Sequence, residues 1–175
     1  MRGWRALVVL LGVCGVASWG GPRAAGPAGE TVVVLVRHAE KLPGEDPGLD
    51  EAGAARARAL AHTLSAWRPQ AIYVSQFRRT RDTAGPLAEA TGLAPVALNG
   101  LDIPGLVARI REGEATRVVV VGHSNTIPAV IAALGAPRPD DIGEEVYDDL
   151  FVVTLPADGG APGLLHLKYG APTPG

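Results

Sequence analysis

Two kinds of apolar spacing alternate along this chain. Thr31–Val36 (TVVVLV) and Arg117–Val121 (RVVVV) are continuous β-branched runs, the pattern of strands buried on both faces. Ala71–Val74, Pro95–Leu98, Phe151–Leu155 and Leu164–Tyr169 read as shorter strands. Between them, apolar residues recur every three or four positions. Ala54, Ala57, Leu60, Ala61 and Leu64 predict a helix over Glu51–Trp67, and Ala84, Leu87 and Ala88 a second over Phe77–Ala90. Ile103–Arg111 and Thr126–Leu134 complete the helices. Asp50 is placed to cap the first. Arg68-Pro69 ends it, and Pro128 sits in the first turn of the last. Gly85-Pro86 could split or kink the second helix.

Strands alternating with helices imply a three-layer α/β/α domain around a mostly parallel sheet. The last two strands, joined near Asp158-Gly159-Gly160, form an antiparallel edge. The domain is expected over residues 31–170, with a flexible leader at 26–30 and a tail at 171–175. Ligands of such sheets gather at the carboxyl ends of the strands.

Residues 1–25 differ from the rest. Arg2 and Arg5 are followed by an uncharged run, Ala6–Ala17, and then by small residues. The run is shorter than the roughly 20 residues that span a bilayer. This is the layout of a secretory signal peptide, so the protein is expected to be exported, to the periplasm or beyond, with cleavage between Ala17 and Ala25. Leu11-Gly12-Val13-Cys14 loosely resembles a lipoprotein box, but Val13 is bulky where a small residue is wanted, so lipid anchoring at Cys14 is a minor reading. Removal of the leader would take away Arg2, Arg5 and Arg23 and the single cysteine.

Composition narrows the remaining classes. With 175 residues the chain is about one domain. One cysteine excludes an internal disulfide framework. A net charge of −2 gives no bulk attraction to nucleic acid. The four histidines, His38, His62, His123 and His166, show no metal-ligand spacing.

Polar clusters follow three strands: Arg37-His38, Ser75 to Arg79, and Gly122-His123-Ser124. Arginine offers a planar fork of donors suited to phosphate oxygens. A neutral imidazole is a competent nucleophile. Helix starts after the second and third clusters favour an anion. Together these groups suit a phosphoryl group on a small substrate. Ser124 and Asn125 are further candidate phosphate donors, although a turn and helix cap account for them equally well.

Four segments carry a family resemblance. Val36-Arg37-His38-Ala39-Glu40 resembles the Arg-His-Gly signature of the histidine phosphatase superfamily, also called phosphoglycerate mutase-like, with Ala39 in place of the usual glycine. Leu49-Asp50-Glu51-Ala52-Gly53 resembles its Leu-Thr-x-x-Gly helix start. Ser75 to Ala84 resembles the Ser-x-x-x-Arg-Ala-x-x-Thr-Ala segment, and Val120 to Ser124 the segment of the second histidine. The resemblance implies that His38 becomes phosphohistidine and that Arg37 and Arg79 bind phosphate. It also implies that His123 donates to the transferring group, with neither metal nor cofactor. Arg78 and Arg81 are rivals of Arg79, turned about 100° and 200° away on a helix.

The general acid is less clear. Family members often carry it in an insert that is short here, which makes Asp102 the candidate by location. Glu40, Asp82, Asp148 and Asp149 are alternatives. Glu40 could instead pair with Lys41, and Asp82 could support its helix. Short members without a strong acid favour good leaving groups such as phosphohistidine or acyl phosphates. Tyr147 to Phe151 is expected near the substrate pocket, His62 and His166 away from it, and Trp67 at a helix end.

Three other readings are open. One is a phosphate-binding module without catalysis. A second is a phosphomutase, although mutases of the family usually have longer inserts. The third is a serine hydrolase built on Gly122-His123-Ser124-Asn125-Thr126, which lacks the last glycine of the Gly-x-Ser-x-Gly elbow and leaves Arg37-His38 unexplained.

Overall fold

In the computed structural model, residues 29–100 and 102–174 are described. The expected signal peptide, residues 1–25, and its cleavage positions lie outside them. The elements run β1 (Thr31–Arg37), α1 (Glu51–Leu64), β2 (Ala71–Ser75), α2 (Arg78–Thr91), β3 (Val96–Leu98), α3 (Ile103–Glu112), β4 (Arg117–Gly122), α4 (Thr126–Ala133), β5 (Asp149–Leu155) and β6 (Gly163–Lys168). Among the described residues they form one six-stranded sheet in the order β3-β2-β4-β1-β5-β6. The pairs β2–β3, β2–β4 and β1–β4 are parallel, while β5 runs antiparallel to both β1 and β6. No helix among the described residues is long and apolar enough to cross a membrane.

The valine runs are buried on both faces because successive side chains feed opposite layers. Val34, Val36, Val119 and Val121 pack with Leu60, Leu64, Ala84 and Leu87, from α1 and α2. Val33, Leu35, Val118 and Val120 pack with Leu106, Ile110, Ile127 and Ile131, from α3 and α4. Trp67, in a 3-10 turn after α1, is partly buried against the first of these layers.

Local chemistry sets the helix boundaries. The Asp50 carboxylate accepts the Gly53 N–H at 2.8 Å and caps α1. Helix α2 begins at Arg78, one residue later than the spacing predicts, and runs unbroken to Thr91 through Gly85-Pro86. Pro86 borders a surface groove rather than the core, so the missing N–H falls away from the face on which Thr83, Ala84 and Leu87 are buried. Gly53 is required by close approach: a Cβ there would lie 2.0 Å from the Glu40 carbonyl oxygen.

Glu40 does not pair with Lys41. Its carboxylate takes a bidentate pair from Arg56, with Nη2–Oε1 at 2.7 Å and Nε–Oε2 at 2.9 Å. Arg56 also donates to the Tyr169 and Ala171 carbonyls at 3.0 and 2.9 Å. One buried guanidinium on α1 therefore ties the loop after β1 to the start of the tail. Substituting Arg56 by Ala leaves Glu40 and two carbonyls without a partner. The expected loss is about 3 kcal/mol, read as a lower urea midpoint. Arg56→Lys should recover little of it, because an ammonium cannot reproduce the fork.

Candidate active site

The site is built where three neighbouring strands end. Arg37 lies opposite Gly122 in the β1–β4 register, so the next residues, His38 and His123, leave adjacent strands side by side. The His38 N–H donates to the Gly122 carbonyl at 2.9 Å and locks this arrangement. The two imidazole centroids are 5.4 Å apart. Ser75 ends β2 on the other side of β4, one residue beyond the Val74–Val121 pair. Its hydroxyl lies 3.0 Å from His123 Nε2.

Helix α2 supplies the second arginine. Arg79 Nη2 is 3.5 Å from His123 Nδ1, and its guanidinium carbon lies 4.3 Å over the Phe77 ring. Of the rivals, Arg78 is exposed and paired with Asp82, and Arg81 is exposed. Thr83 fixes the helix against β1: its hydroxyl accepts the Ala39 N–H at 2.9 Å and donates to the Arg79 carbonyl at 2.8 Å.

Arg37 is buried and does two things. Its Nη1 donates to the carbonyls of Gly143, Glu144 and Val146 at 2.6, 2.8 and 3.0 Å, pinning the loop before β5. Its Nε is buried without a partner, as is Arg79 Nε. An unpaired buried donor is costly, and a charged one more so. Two such groups flanking the histidines define a place for an oxyanion. The loop returns Tyr147 to the site, with its ring 6.1 Å from His38 and 4.2 Å from the Arg37 guanidinium carbon.

Both histidines are held neutral. Burial lowers His38 to about 3; the Ala39 carbonyl opposes this, while Arg37, His123 and Arg79 add to it. Burial, then Arg79 and Arg37, lowers His123 to about 4. The Ala39 carbonyl lies 2.9 Å from His38 Nδ1 and can only accept. The proton therefore sits on Nδ1, and Nε2 keeps the lone pair.

The remaining candidates separate. Asp102 caps α3 by accepting the Gly105 N–H at 3.0 Å. It also lines a cavity of about 30 Å³ beside His123 and Ser75. Asp148 and Asp149 are directed to the far edge, where Lys168 bonds to them at 3.0 and 2.8 Å. His166 bonds Asp149 there and stacks on Phe151, and His62 is exposed on α1. Ser124 follows His123 in the turn. Asn125 is exposed and makes no side-chain cap; the Thr126 hydroxyl instead accepts the His123 N–H at 2.9 Å. Asp46 was not apparent from the sequence. It bonds the Arg78 N–H at 2.9 Å and stands 4.0 Å from Arg79 Nη1. Among the described residues, no three His, Cys, Asp or Glu side chains gather as a metal-binding group.

The α/β/α sheet that carries these side chains is similar in fold to the phosphoglycerate mutase-like proteins. Residues 33–102 match the family model of the histidine phosphatase superfamily (branch 1). The match includes Arg37, His38 and Arg79; His123 lies beyond it and joins them through the β1–β4 pairing. The fold is similar to that of a mycobacterial glucosyl-3-phosphoglycerate phosphatase, with a TM-score of 0.64 at 19% identity over 77% of this chain and 97% of that one. It is also similar to the protein histidine phosphatase SixA complexed with tungstate, with a TM-score of 0.62 at 21% identity over 79% and 97%. A PE-PGRS family protein, PE_PGRS11, of Mycobacterium tuberculosis strain ATCC 25618 / H37Rv is 39% identical over 90 residues. That stretch is 44% of this chain, which spans only 15% of that relative's length.

Neutral buried histidines make folding sensitive to acid. The unfolded chain takes up protons below about pH 6.5 that folded His38 refuses until about 3. Stability should therefore fall as pH drops from 6.5 toward 4, with His38 contributing at most about 1.4 kcal/mol per pH unit. Urea denaturation of His38→Gln across this range should show a shallower loss than the wild-type protein.

Proposed function

We propose that this protein hydrolyses small phosphomonoesters, or a related phosphoryl compound, through a phosphohistidine on His38. The observation that carries the reading is the pair of unpartnered Nε groups of Arg37 and Arg79 beside a neutral His38. His38 Nε2 attacks phosphorus while the bond from phosphorus to the leaving oxygen breaks. Arg37, Arg79, His123 and the Ser124–Asn125 turn receive the oxygens as charge spreads over them. Water then attacks phospho-His38, releasing phosphate and restoring the ring. The arginines supply the positive charge, so neither metal nor cofactor takes part.

The leaving group is the point of selectivity. Glu40, Asp82, Asp148 and Asp149 are each held by a cation elsewhere, which leaves Asp102 as the proposed acid. Asp102 is itself engaged as the cap of α3, which supports substrates that need little proton donation, such as phosphohistidine or acyl phosphates. It also keeps a phosphate-binding module as the second reading. The sequence of residues 1–25 supports export.

Purified protein, tested on a panel of phosphate esters, acyl phosphates and phosphohistidine after chelator treatment, should release phosphate from at least one. His38→Ala should abolish turnover and ³²P labelling. Arg79→Ala should lower kcat/KM by about 10²–10³-fold. Tight phosphate binding with no turnover on any substrate would favour the binding module.

A further inference from the structure

The hydroxyls of Ser75 and Thr80 are fully internal, and the reaction scheme does not use them. Ser75 is 5% exposed and Thr80 is 0% exposed. Thr80 Oγ1 faces the carbonyls of Phe77 at 2.8 Å and Ser75 at 3.1 Å. A carbonyl only accepts, so the single Thr80 proton goes to one of them. The Ser75 hydroxyl, 2.9 Å away, must then donate to Thr80. Its lone pairs are left for the Phe77 N–H at 3.3 Å and for His123 at 3.0 Å. His123 Nε2 is therefore the protonated nitrogen. The opposite end of the ring imposes the same polarity, because Arg79 Nη2 only donates and it faces Nδ1. Carbonyls at one end of the chain and a guanidinium at the other leave one orientation throughout.

We propose that Ser75 and Thr80 are positioning residues that fix His123 as its Nε2–H tautomer, so that a phosphoryl dianion binds with uptake of one proton at His123 Nδ1. The inference rests on the proposed phosphoryl site. With Nε2–H donated inward, Nδ1 is the nitrogen beside Arg79. In the empty site it is a lone pair, which repels a phosphoryl oxygen. Only a second proton turns it into a donor. The charged and titratable groups around it favour that proton only when an anion is present. Arg37 and His38 come from the end of β1 and Arg79 from α2, while Asp102 lies across the small cavity from the loop before α3. Burial and the two arginines hold the empty ring near 4; a dianion reverses the contribution of the arginines. The imidazolium so formed would stand beside the phosphoryl group carrying a transferable proton, at a site where most carboxylates are tied up elsewhere.

The test is ¹⁵N NMR of the histidine-labelled full chain at neutral pH, with and without tungstate, an anion that carries no proton of its own in this range. Free wild-type protein should show His123 protonated on Nε2 alone, and the tungstate complex should show both nitrogens protonated. Tungstate affinity should fall about tenfold per pH unit between the titration point of the free ring and that of the complex, and level off above the latter. Thr80→Val frees the Ser75 proton and should give a mixture of His123 tautomers and a flatter pH dependence. Thr80→Ser keeps the hydroxyl and should restore both, which loss of packing alone would not predict. A free protein with the proton on Nδ1 would overturn the inference. So would a complex in which His38 signals move while His123 stays singly protonated, and that result would leave the phosphatase reading standing. Tungstate that moves no histidine signal would overturn both.

Discussion

The parallel pairing of β1 with β4 is the constraint on which the rest depends. Val33–Val36 against Val118–Val121 is valine throughout except for Leu35, and such a run carries little register information of its own. The polar ends supply it. At the start of β4, Gln70 Oε1 accepts N–H bonds from Thr116 and Arg117 at 2.8 and 3.1 Å. At its end, Gly122 has no room for a side chain: a Cβ would lie 2.8 Å from Ile127 and 3.0 Å from the Thr126 hydroxyl. Held at both ends, the pair delivers His38 and His123 to the same point. A slip of one residue would send them to opposite sides of the sheet.

What accumulates at that point is positive charge with little to neutralise it. Two guanidinium groups are drawn into a largely buried site, and the nearest carboxylate in sequence, Glu40, is paired with Arg56 instead. The histidines respond by staying neutral. The site is thus set up before any ligand arrives, and the cost of its unpaired donors is carried by the hydrophobic layers on either side.

Much of this was legible in the sequence. The valine runs, the capped helix at Asp50 and the polar clusters after three strands lead to an α/β/α fold with Arg37, His38, Arg79 and His123 at one edge, because hydrophobic period and strand ends are local signals. The unread parts depend on partners far apart in the chain. Arg56 looks like an ordinary polar position in a helix, yet it holds Glu40 and the carbonyls of Tyr169 and Ala171. Asp148 and Asp149 look available for catalysis until β6 brings Lys168 against them. Thr80 and Asp46 carry no distinctive spacing, and only the folded turns show what they touch. Pro86 misleads in the other direction: a helix breaker by local preference, it is overruled by the packing of its neighbours Ala84 and Leu87.

The grip of Arg37 on the loop before β5 has a consequence for how this site can diversify. All three bonds go to backbone carbonyls, of Gly143, Glu144 and Val146. None asks for a particular side chain. The path of the loop is therefore dictated by the arginine proposed to face the phosphoryl group, while the side chains displayed along it are free to vary. Recognition of the common phosphoryl group and choice of what is attached to it become separable properties. The first would depend on the Arg37 and Arg79 guanidinium groups, whose forks lysine cannot reproduce. The second is open to drift, or to redesign, at Glu144 and Glu145 without disturbing the chemistry beneath.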